Sequence, residues 1–88
     1  MITREKLRIY EKFGGDSDGF ARSATLSERL AITDAEWHLI EEIRQSLFIV
    51  QSGLASREFE ASVRARLHAV VEDEKVNERL CQLAKPRS

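Results

Sequence analysis

Apolar residues recur along most of this chain at spacings of three and four, the pattern of helices that bury one face. Ile2, Leu7, Ile9, Tyr10 and Phe13 gather on one side of a wheel turning about 100° per residue, which predicts a first helix over 4–13. Gly14 and Gly15 end it. Asp16 is placed to cap a short helix over 17–23, and Thr25 with Glu28 makes a capping box for another through Ala31.

The fullest pattern begins at Thr33, where Thr33-Asp34-Ala35-Glu36 is a capping box with its acids at the positive end of the helix dipole. Trp37, Ile40, Ile43, Leu47 and Val50 then form a broad stripe that Gly53 stops, giving a helix over 34–52. Glu36 falls inside that stripe, a position the capping box accounts for. The run Leu47-Phe48-Ile49-Val50 is apolar all round, so this turn either lies at the centre of the fold or meets a partner.

Ser56 is placed to cap the next helix, with Phe59, Val63, Leu67, Val70 and Val71 on one face and Ala61, Ala65 and Ala69 on a second. Two apolar faces imply two neighbours, although alanine also stands in helices for propensity alone. The polar cluster Glu72-Asp73-Glu74-Lys75 interrupts the pattern before Val76, Leu80 and Leu83 resume it on the opposite side. A break near 73 is expected, the alternative being one helix over 57–84. No alternating segment suggests a strand. The fold expected is therefore all-α, a compact bundle or orthogonal packing of four to five short helices, as a single domain over 1–85 with a C-terminal tail at 86–88.

Composition narrows the function classes. At 88 residues and 10.1 kDa the chain buries roughly 64% of its unfolded surface, enough for one modest core but not for a large cofactor cavity. Charged residues at 33% against 42% hydrophobic argue against a disordered segment, and no apolar run is long enough to span a bilayer. With no apolar leader after Met1 and a lone Cys81, the expected location is cytoplasmic. The net charge of −1 hides an acidic stretch, since Asp34, Glu36, Glu41 and Glu42 face only Arg44 over 33–53.

The run Phe13-Gly14-Gly15-Asp16-Ser17-Asp18-Gly19-Phe20 is where residue choice departs most from a plain helical core. It resembles the middle of a calcium loop, but placing Gly19 sixth puts Gly14 first and Thr25 twelfth, where acids are required. As a phosphate cradle it is spoiled by Asp16 and Asp18, which repel an anion, and no G-x-x-x-x-G-K-[ST] pattern is present. Gly14, Gly15, Asp16, Asp18 and Gly19 are accordingly assigned to a structural loop: a helix C-cap followed by an N-cap. His38, His68 and Cys81 sit on separate elements without ligand spacing, and the neighbours Glu41 and Glu42 diverge by about 100° on a helix. No catalytic residue, metal or cofactor is expected.

What remains is surface. Trp37 and Phe48 flank the main stripe with Arg44 between them, and aromatic and arginine residues of this kind anchor protein interfaces, though a small domain also needs its aromatics inside. The expected function is a non-catalytic protein-interaction module, an adaptor, regulator or immunity-type binder, pairing with another protein or with itself as a homodimer. Its candidate contact residues are Phe20, Arg22, Trp37, Glu41, Arg44, Phe48 and Ile49. The first alternative is a nucleic-acid regulator, because helix, Gly53 turn and helix follow one another. Against it stand an acidic first helix, bulky Ile49 near the turn, and Arg57, Arg64 and Arg66 diluted by Glu58 and Glu60. The second is a small enzyme or ligand carrier with a pocket converging on His38, His68 or the loop aspartates. Neither nucleic acid nor membrane is an expected partner.

Overall fold

The computed structural model describes residues 1–86, so all but Pro86 of the tail expected at 86–88 lies outside the described residues. Among the described residues six helices follow one another: α1 (Arg4–Lys12), α2 (Ser17–Ser23), α3 (Leu26–Ala31), α4 (Asp34–Gln51), α5 (Arg57–Val70) and α6 (Glu74–Leu83). The class is all-α, as expected. Every one of these helices opens on a serine, threonine or aspartate whose side-chain oxygen accepts a backbone N–H of the first turn. Thr25 and Thr33 complete reciprocal capping boxes with Glu28 and Glu36.

The 57–84 stretch is two helices, with the break near 73 that the interrupted apolar pattern predicts. Val71 leaves α5 in an extended conformation and forms an isolated parallel bridge with Ile2, an interaction that sequence periodicity did not suggest. The Ile2 N–H donates to the Val70 carbonyl at 2.6 Å, and the Glu72 N–H donates to the Ile2 carbonyl at 2.9 Å. Arg4 completes the junction: its guanidinium donates to Asp73 at 2.7 and 2.9 Å and its backbone N–H to Glu72 at 3.1 Å. The acidic cluster that interrupts the apolar pattern is thus where the N-terminus is fastened, with the Ile2 side chain sealed beneath.

α4 is the spine. It packs against α5, α6 and α1, while α1 also touches α3 and α6. Ile40, Ile43 and Leu47 of α4 meet Leu7, Ile9 and Tyr10 of α1, Val63 and Leu67 of α5, and Val76 and Leu80 of α6 in one buried cluster. The second face expected on α5 finds no neighbour: Ala61, Ala65 and Ala69 are exposed. Those alanines serve helix propensity, not close helix approach.

The body measures 41 × 26 × 19 Å, about two helix diameters in its shortest dimension. Its accessible surface of 5858 Å² exceeds the roughly 5,300 Å² of a typical folded monomer of this mass. So thin a slab cannot surround a central helix on every side, which sets up the exposure at the end of α4. No helix among the described residues is long and apolar enough to cross a membrane.

Candidate functional site

The glycine loop is shaped by what it must approach. Gly14 and Gly15 adopt φ of +59° and +76°, reversing the chain after α1 while the Gly15 N–H donates to the Tyr10 carbonyl at 3.1 Å. A Cβ at Gly15 would stand 2.8 Å from Tyr10 Oη and 3.3 Å from Arg44 Nη1, so only glycine fits between loop and spine. At Gly19 the restriction is space: a Cβ would meet the Asp16 carboxylate at 2.8 Å, the same carboxylate that caps α2 by accepting the Asp18 N–H at 3.1 Å. Asp16 is thereby accounted for as a cap, and Asp18 points to solvent.

Beyond the loop the aromatics turn inward. Phe20 lies over Trp37 at 4.8 Å between ring centroids, Tyr10 meets Trp37 at 4.9 Å, and Phe13 abuts Phe20 edge-on at 5.4 Å. Trp37 is only 3% exposed and its indole N–H donates to Glu41 at 3.1 Å. Of the candidate contact residues, Trp37 is therefore a core residue, because α1 and α2 close over it. Phe20 is its half-buried cover, and Glu41 satisfies the indole while standing 3.6 Å from His38 Nδ1. Arg22 is exposed in the last turn of α2, away from these groups.

Arg44, Phe48 and Ile49 are brought together. They line an open groove of ≈ 710 Å³ between α4 and the end of α6, together with Tyr10, Gly15, Leu83 and Lys85. Phe48 is 47% and Ile49 40% exposed, whereas Leu47 and Val50 of the same turn are buried. Arg44 is half-buried and donates to Tyr10 Oη at 3.3 Å; no carboxylate among the described residues lies within ion-pair distance of it. Sequence reasoning missed Tyr10, Leu83 and Lys85. Leu83 carried a signal, since it resumed the apolar pattern on a turned face.

Several other charges are paired. Arg66 holds Glu42 bidentately at 2.9 and 3.2 Å and Arg64 meets Glu60 at 3.2 Å, which neutralises two of the three arginines that α5 offers to a phosphate backbone. The Arg66 guanidinium holds the Glu42 carboxyl below its ordinary value, and Arg4 does the same to Asp73. Glu36 feels a cost from burial that is outweighed by the Lys6 ammonium and the Thr33 cap, so it too is lowered. His38 and His68 are exposed on different helices, and among the described residues no three His, Cys, Asp or Glu side chains are grouped to hold a metal ion.

Comparisons with protein-family models, with curated proteins and with solved structures find no match to this chain.

Proposed function

We propose that the chain is a cytoplasmic, non-catalytic protein-interaction module whose contact surface is the groove between α4 and α6. The observation that carries this reading is the split last turn of α4, which sends Leu47 and Val50 into the core and leaves Phe48 and Ile49 beside a half-buried arginine. Two adjacent large apolar side chains cost solubility where they stand, and covering them returns roughly 25 cal/mol for each Å² removed from water. A partly sunken aromatic next to an arginine is also the composition from which interface hot spots are built.

The test is site-specific photo-crosslinking in the cells that make the protein. A crosslinker at Gln45, on the rim of the groove, is expected to give a discrete adduct, and one at Ala65, on the uncovered face of α5, is not. Equal yields from both positions, or none from Gln45, refute the reading.

A further inference from the structure

We propose that residues 1–4 latch a helix hinge at 71–73: once unlatched, α5 and α6 join into one straight helix, and α6 changes places with the α6 of a second copy of the chain. The hinge is independent of the groove. No glycine or proline occurs from 57 to 85, so nothing in the local backbone forbids a continuous helix there. Val71 and Asp73 nonetheless stand extended, at φ −95°, ψ 148° and φ −156°, ψ 178°. Asp73 caps α6 by accepting the Val76 N–H, but that cap does nothing for the Val70 carbonyl or the Glu72 N–H.

Ile2 supplies both of those partners, at 2.6 and 2.9 Å. A continuous helix would pair the same two groups differently, the Val70 carbonyl with the Glu74 N–H and the Glu72 N–H with the His68 carbonyl. The Glu72 N–H has a single hydrogen to give, so strap and helix compete for it and the stretch has two discrete arrangements. What tips the balance toward the break is the strap itself: an Ile2 side chain with no exposure, and an Arg4 guanidinium that donates twice to Asp73.

Straightening turns α6 about its axis. At about 100° per residue, Val76 follows Leu67 by nine positions and leaves the helix on the opposite side. Val76 and Leu80, 1% and 0% exposed, therefore cannot keep their seat against α1 and α4 while Val63 and Leu67 keep theirs. The surface that fits the released stripe is that same seat, vacated in a second copy by the same movement. Reciprocal exchange rebuilds the α4–α6 and α1–α6 contacts between chains and closes the assembly at a dimer.

Light scattering coupled to size-exclusion chromatography, over a concentration series, tests this on the full chain. Arg4→Glu, which turns the ion pair with Asp73 into a repulsion, should raise the dimer-to-monomer ratio by about fivefold. Ile2→Ala, which removes the buried anchor, should act in the same direction. Adding Glu74→Pro to either should return the mass to monomer: proline suits the first position of α6 after an extended residue, yet it breaks a helix running through 74. The route of exchange is read with Gln51→Cys and the native Cys81, which lie on α4 and α6 where the Gln51 side chain donates to the Cys81 carbonyl. A bis-maleimide should join them within one chain in the monomer and between two chains in the dimer. Variants that stay monomeric, or lose helical signal without dimerising, overturn the proposal. So does a dimer that survives Glu74→Pro or is crosslinked only within single chains.

Discussion

Trp37 and Phe48 leave α4 on the same flank and end in opposite environments. Both are aromatics on the flank of one apolar stripe, eleven residues apart on α4. Trp37 is closed over by Tyr10 from α1 and Phe20 from α2, whereas Phe48 has no aromatic ring stacked on it among the described residues and stands 47% exposed. The difference lies in the cover and not in the helix. A wheel angle says which way a side chain leaves the axis; whether it meets protein or water depends on where the other helices end. Here Phe20 of α2 and Tyr10 of α1 cover the first turns of the spine, and its last turn is left beside an open groove.

That contrast is open to measurement. Trp37→Ala removes a buried ring with its stacking partners and should cost about 3–5 kcal/mol in urea-melt stability. For a domain of this size that is a large share of a total of order 5–15 kcal/mol. A loss below about 1 kcal/mol would show the aromatic cover to be loose and erase the contrast.

Gly15→Ala probes how tightly loop and spine are joined. The positive φ and the contact with Tyr10 Oη together should cost about 1–3 kcal/mol, read as a lowered melting temperature.

Glu36→Gln tests the ion pair that locks the covered end of α4, and should cost about 1.5 kcal/mol at neutral pH by removing a charge-assisted bond to Lys6. Its pH dependence carries a sign. Glu36, Glu28, Glu42 and Asp73 all titrate lower in the folded chain than their ordinary values of 4.5 for glutamate and 3.8 for aspartate. Above those values their contribution is fully present. As the pH falls through the lowered folded values the unfolded chain has already taken up protons, and stability is lost. Urea midpoints should therefore decline on acidification from pH 4.5 downward, and Glu36→Gln should decline less than the parent because one such group is gone. A parent whose midpoint stays level to pH 3 would contradict the paired carboxylates.

The smallest effect belongs to the exposed end. Phe48→Ala should change monomer stability by less than about 1 kcal/mol, since nearly half of the residue is already in water. A cost comparable with Trp37→Ala would make Phe48 a core residue and remove the contact face.

Much of the local structure was legible in the residues. The capping threonines at 25 and 33, the aspartate cap at 16 and the Gly14-Gly15 reversal involve donors and acceptors within a few positions of one another, so the chemistry that ends or starts a helix is visible without its neighbours. The groove was legible only in part. Arg44, Phe48 and Ile49 were visible as a patch on one helix, but Tyr10, Leu83 and Lys85 join it from sequence distances that no periodicity reports.

Helix positions, their caps and the buried stripe of α4 were determined by the sequence itself, because each depends on interactions closed within one or two turns. Tertiary structure decided the rest: that Ile2 pairs with Val71 at the expected break, that the alanines of α5 face water, and that of two aromatics on one flank one is covered and the other exposed. The reason is that burial is a property of pairs of elements. A helix can present an apolar face, but only the placement of another element within reach removes that face from water.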